Sequence, residues 1–180
     1  LGNANTNWLN EVLQPSTSTL HNISARGELF NFLPTRLSIN FSELEGNILT
    51  SQFDRANVSL AMNPSFFDNH LKVSLTYNRA FVQERFADQA QINSALRYDP
   101  TQPVFDPNSP FGGFYQHTQN TADGLVVLNG TRNPVAALLQ RDDRINRFRQ
   151  FGNLKLDYKL HFLPEVTATV SAGFDKSTLT

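Results

Sequence analysis

Six segments of this chain alternate apolar and polar side chains residue by residue, and no other feature of it restricts the fold as strongly. In 21–30, Ile23, Ala25, Gly27 and Leu29 share one face, and Asn22, Ser24, Arg26 and Glu28 share the other. In 36–42, Leu37, Ile39 and Phe41 oppose Arg36, Ser38, Asn40 and Ser42. In 56–62, Ala56, Val58, Leu60 and Met62 oppose Asn57, Ser59 and Ala61, and in 71–78, Leu71, Val73, Leu75 and Tyr77 oppose Lys72, Ser74, Thr76 and Asn78. After a gap the pattern returns. Leu154, Leu156, Tyr158, Leu160 and Phe162 oppose Lys155, Asp157, Lys159 and His161; Val166, Ala168, Val170, Ala172 and Phe174 oppose Thr167, Thr169, Ser171 and Asp175. Successive strand side chains point to opposite faces, so this period of two predicts strands with one apolar and one polar face. Each segment is within a few residues of the ~9–11 that cross a bilayer when tilted.

The links between the segments alternate in kind. Asn31–Pro34, Asn63–His70 and Phe162–Glu165 are short and hold a proline beside aromatics, and Phe30, Phe32, Phe66, Phe67 and Phe162 gather at those ends. At the opposite ends lie a longer link through Glu45-Gly46-Asn47 and an insert over 83–147, which holds five of the nine prolines. Short turns with aromatics on one rim and long loops on the other suit a transmembrane β-barrel. An antiparallel soluble sandwich alternates in the same way, with its apolar side chains against a second sheet and the aromatics closing the end of the core. Periodicity leaves both architectures open. The expected organisation is a lead over 1–16, four strands in 17–82, the long insert over 83–147 with short helices, and two strands in 148–178.

Charge and cysteine content remove several function classes. Fifteen basic residues against 16 acidic ones leave a formal net charge of -1, which argues against a nucleic-acid binder or a polybasic membrane anchor. With no cysteine there is neither a disulfide framework nor a thiolate metal site. No run of about 18 apolar residues forms a transmembrane helix. The start lacks a signal peptide and an initiator Met, and reads as a piece of a longer chain.

Several stretches resemble a known family. They are Asn63-Pro64-Ser65-Phe66-Phe67-Asp68-Asn69-His70-Leu71-Lys72-Val73, Tyr98-Asp99-Pro100-Thr101-Gln102-Pro103-Val104, Arg132-Asn133-Pro134-Val135-Ala136-Ala137-Leu138-Leu139-Gln140 and Gly152–Lys159, followed by Phe162-Leu163-Pro164-Glu165. Trp8–Val12 and Leu44–Leu49 add weaker matches. From about Thr6 to Asp175 the chain resembles, in order, the SusC/RagA family of TonB-dependent outer-membrane transporters known from Bacteroidetes. The resemblance implies an early slice of a barrel of about 22 strands, with the plug and TonB box outside this sequence. It places 83–147 outside the cell as an extended loop and the proline-bearing turns in the periplasm. It also implies the outer membrane, with its lipid around the wall. The implied partners are a SusD-like surface lipoprotein, TonB acting through parts outside this sequence, and an oligosaccharide or peptide substrate. The all-β reading is thus an antiparallel meander of about six strands. The competing function is a secreted soluble β-sandwich acting as a binding or adhesion module.

No constellation reads as catalytic and no cofactor is expected. His21, His70, His117 and His161 are spread singly without zinc spacing, Asp142-Asp143 lies in a compact charge run, and Asp99, Asp106 and Asn108 lack the EF-hand pattern. The stretch with binding chemistry is Phe111-Gly112-Gly113-Phe114-Tyr115-Gln116-His117. Phe114, Tyr115 and His117 combine flat apolar rings with hydrogen-bonding groups, which suits a sugar or peptide. The same rings could instead form the small core that a long loop needs. Short helices are expected near Gln91–Leu96 and Val135–Leu139, the second with Asn133 as cap and Pro134 at its first position.

Overall fold

The computed structural model describes residues 2–122, 124–128 and 132–180; Leu1 of the lead and residues 123 and 129–131 of the insert lie outside the description. Twelve elements follow in order: α1 (Trp8–Val12), β1 (Thr17–Leu29), β2 (Leu33–Glu45), β3 (Gln52–Met62), β4 (Ser65–Phe66), β5 (Leu71–Arg85), α2 (Ala90–Arg97), β6 (Thr118–Thr121), β7 (Gly124–Val127), α3 (Pro134–Leu139), β8 (Arg144–Leu160) and β9 (Leu163–Leu179). They divide into two units, one of Leu1–Thr17, Glu45–Gln52 and Arg85–Arg144, the other of Ser18–Leu44, Phe53–Glu84 and Ile145–Thr180.

The second unit is one sheet in the order β1-β2-β3-β5-β8-β9, with the short β4 folded onto β5. All six expected strands are present, and most are longer than the alternation alone marks. The β8–β9 register fixes the faces. Leu154 sits across from Ala172, Leu156 from Val170 and Tyr158 from Ala168, while Lys155 meets Ser171, Asp157 meets Thr169 and Lys159 meets Thr167. Apolar thus meets apolar on one face and polar meets polar on the other, as a fixed register requires. On the polar face side chains join strand to strand: Asn40 donates to Asn22, Asn57 donates to Asn40 at 3.4 Å, and Ser59 donates to Asn78 at 2.7 Å. Further along, Thr169 donates to Asp157 at 2.6 Å, Lys155 pairs with Asp157 at 2.9 Å, and Arg149 grips Asp175 through two nitrogens at 3.1 and 2.5 Å.

Within this unit neither face is covered by a second layer. Every residue of β1 and β9 is exposed, and Ile23 and Val170 keep 68% and 65% of their surface accessible. Gly152 is an exception on the apolar face. The Phe174 ring of the neighbouring strand lies over it, and an added Cβ would meet that ring and the Thr76 carbonyl oxygen, each at 2.8 Å.

The turns are tight, and they move some strand ends. Phe30 and Asn31 take φ of 57° and 63°, and Phe32 N–H donates to the Leu29 carbonyl at 3.4 Å. That is the two-residue loop with both central residues left-handed, whose twist suits a hairpin. Phe30 therefore belongs to the turn, and Leu33-Pro34 opens β2. Phe67, Asp68 and Asn69 are likewise left-handed, closing β4 onto β5 with Phe66 opposite Leu71. Leu160 pairs with Leu163, so His161 and Phe162 form a two-residue turn rather than the end of a strand. There the His161 ring stacks on His70, with centroids 4.0 Å apart and planes 10° apart. The two histidines are 91 positions apart, and only the strand pairing joins them.

Candidate functional site

The first unit contains all the aromatic binding chemistry singled out from the sequence. Its core is Trp8, Val12, Ile48, Ala95, Tyr98, Val104, Phe114, Val135, Ala136 and Leu138. Three short helices pack pairwise around it. Isolated helices this short are unstable in water, so their order comes from packing and caps. In α1, Asn7 caps by accepting from the Asn10 N–H at 3.3 Å, and Trp8 and Val12, four apart, both turn inward. The Trp8 indole N–H donates to the Asp99 carbonyl at 2.9 Å, and its ring lies 4.4 Å from that of Tyr98.

Asn133 holds the middle of the unit. It is fully buried. Its Oδ1 accepts from the N–H groups of Val135 and Ala136 at 3.0 and 3.1 Å, capping α3, while Pro134 occupies the first turn, where no N–H is needed. Its Nδ2 donates to the carbonyls of Val104 and Tyr115 at 2.9 and 3.0 Å. One amide thus starts a helix and ties together the two backbone segments that frame the aromatic stretch. Phe105 and Phe114 bridge across those segments, their rings 5.2 Å apart. Gly112 and Gly113 make the connecting turn with φ of 69° and 80°.

The three candidate residues sit differently around this frame. Phe114 is 8% exposed and is part of the core. Tyr115 is half-buried against it, and its hydroxyl lies 3.4 Å from His117 Nδ1. The Tyr98 and His117 rings are 5.4 Å apart. Any ligand surface here is offered by Tyr115 and His117, with Phe114 as the packing beneath. Burial pushes the Tyr98 phenol up to about 12 and raises that of Tyr115 as well.

The acidic groups near the stretch form turns and ion pairs. Asp99 accepts from Thr101 N–H and Oγ1 at 2.9 and 2.8 Å and from Gln102 at 3.2 Å, and these bonds hold its carboxyl below the usual range. Asp106 accepts from Asn108 N–H at 3.0 Å. In the charge run, Asp142 pairs with Arg85 at 3.1 Å and Arg144 at 2.8 Å, and Asp143 pairs with Arg141 at 2.5 Å. No group of three or more metal-ligating side chains gathers among the described residues.

No family model matches the chain. A curated relative decides the likeness. The "TonB-dependent receptor SusC" of Bacteroides thetaiotaomicron is 36% identical over 184 residues, covering 96% of this chain. The chain is SusC-like. It spans 18% of that protein's length. The match runs through both units of the SusC-like chain, the aromatic stretch included. A cleft of about 780 Å³ that sequence reading did not anticipate lies in the first unit, lined by Asp88, Gln91, Asn93, Ser94, Arg97, Arg132, Ala137 and Arg141. Its lining comes from α2, α3 and the residues flanking them, so the signal would have been basic and amide side chains bordering both expected helices.

Proposed function

We propose that this SusC-like chain is part of the wall of a TonB-dependent outer-membrane transporter for nutrient uptake and has no enzymatic role. The observation that carries the reading is the single-layer sheet whose register gathers apolar side chains on one uncovered face. A secreted β-sandwich would need a second sheet on that face, and the second unit consists of one sheet. From Gly152 to Leu160 the apolar face runs eight residue steps, about 26 Å at ~3.3 Å each, or about 20 Å once tilted by 35–45°. That approaches the ~25 Å apolar band of outer-membrane barrels. Phe30, Phe32, Phe66 and Phe162 at the turn ends suit the aromatic girdle at one interface. In this reading the apolar face meets lipid and the ladder of Asn22, Asn40, Asn57, Ser59 and Asn78 faces the lumen.

The insert between β5 and β8 then forms an external loop. A SusD-like surface lipoprotein delivers an oligosaccharide or peptide, Tyr115 and His117 over Phe114 contribute to its capture, and TonB supplies the energy. The test is electrophoretic mobility of the full-length protein with and without boiling, after extraction in detergent. A folded, heat-shifted species recovered only with detergent supports the reading. A monodisperse, strand-rich species without detergent contradicts it. Alanine at both Phe114 and Tyr115 should weaken substrate or partner capture while the heat shift persists.

A further inference from the structure

We infer that the cleft between α2 and α3 binds a carboxylate-bearing saccharide. This rests on the transporter reading only for the ligand's later fate; the site itself is argued from its lining. Three arginines, Arg97, Arg132 and Arg141, border a space of about 780 Å³, within the usual size of small-molecule sites. Among the described residues Asp88 is the one acid in that lining, and its carboxylate is already engaged. It accepts from Ala90 N–H at 3.0 Å and from Gln91 Nε2 at 2.9 Å, which fixes the start of α2. Arg141 is held at 2.5 Å by Asp143. Among the described residues, Arg97 and Arg132 have no ion-pair partner. In a chain with net charge -1, two unpaired guanidiniums on one cleft are a local positive field of the kind that takes a carboxylate in a forked grip.

The rest of the lining selects the class of acid. Gln91, Asn93 and Ser94 bring amides and a hydroxyl, and among the described residues Ala137 is the sole apolar side chain in it. An apolar peptide side chain would find little beyond Ala137 and the arginine stems to bury against, whereas ring hydroxyls would find donors and acceptors. Part of the lining is pre-set. Gln91 is tethered by Asp88, and Ser94 Oγ donates to the Ala90 carbonyl at 3.3 Å along the helix. The ligand that fits this chemistry is a uronic-acid saccharide.

The experiment is calorimetric titration of the full-length protein in detergent with three probes: trigalacturonate, its fully methyl-esterified form, and triglutamate. Trigalacturonate should bind, more weakly as salt is raised. The ester and triglutamate should each bind at least about tenfold more weakly, and an Arg97→Gln, Arg132→Gln double variant should lose a similar factor for trigalacturonate. Both arginines are exposed, so unchanged circular dichroism and heat shift should accompany that loss. Equal binding of the ester, equal binding of triglutamate, no binding of trigalacturonate, or an unaffected double variant would each overturn the inference. The heat shift of the same preparation keeps the two readings apart. Heat-shifted protein that ignores trigalacturonate removes only the saccharide site, and detergent-independent protein that binds it removes only the transporter.

Discussion

Replacing Asn133 with alanine removes the one side chain that starts α3 and ties Val104 to Tyr115. Loss of the cap costs about 1 kcal/mol. The Tyr115 carbonyl loses its Nδ2 donor in a part-buried setting, which costs about 1–3 kcal/mol. The Val104 carbonyl keeps the Tyr115 N–H at 3.1 Å, so its loss is nearer ~0.5–1 kcal/mol. Asn133→Ala should therefore destabilise the helical unit by about 3–5 kcal/mol. Trp8 is the only tryptophan and is buried in the same core, so its fluorescence reports on this unit during denaturant unfolding. Asn133→Ser retains an oxygen cap but no amide donor, and should recover only the capping share. A shift below about 1 kcal/mol for Asn133→Ala, or full recovery with serine, would refute the idea that the amide clamps the aromatic stretch.

Three other outcomes follow from the same geometry. Gly152→Val should cost about 1–3 kcal/mol in folding titrations, because its Cβ runs into the Phe174 ring and the Thr76 carbonyl oxygen. In the full-length protein, Leu156→Arg should cost about 2–4 kcal/mol near the midplane, while Asp157→Arg on the opposite face should be mild; equal tolerance would count against lipid on the apolar face. With its phenol raised to about 12 by burial, Tyr98 keeps its proton in the folded state where an unfolded tyrosine, near 10, has lost it. Its contribution is fully present below pH 10 and is lost as the pH rises through 12, so the Trp8-reported midpoint should fall over that window and Tyr98→Phe should flatten the fall.

The strands were legible because period two survives wherever the faces differ. Leu154–Lys159 alternates cleanly, and the register pairs those residues with Thr167–Ala172 as the pattern requires. The outer part of β8 was not legible, since Arg147 and Arg149 on one face and Gln150 on the other leave no contrast to read. Phe30 misled the first strand boundary because a bulky residue at positive φ is rare, and only the tight hairpin demands it. Helix α3 could be read from Asn133-Pro134, whereas the Nδ2 bonds reach 29 and 18 residues back and leave no local trace. Helix α1 had a signal, Trp8 and Val12 four apart after Asn7, hidden in an Asn-rich lead. The aromatic stretch stands out in the sequence by its rings, but its division into a buried Phe114 and a half-buried Tyr115 depends on a core assembled from distant segments and leaves no local trace.

These 180 residues hold no cysteine, so a thiol introduced into β8 or β9 has no competitor within the chain, and any elsewhere in the full-length protein are first replaced by serine. Single nitroxide labels placed one at a time at 153–158 and 168–172 in the full-length, lipid-reconstituted protein would be tested for collision with oxygen, which concentrates in lipid, and with a water-soluble nickel chelate. With lipid on the apolar face, oxygen contact should peak at 154, 156, 158, 168, 170 and 172 and drop at the positions between them. Nickel access that is high at every position, or oxygen contact without a period of two, would contradict a wall with lipid on its apolar face.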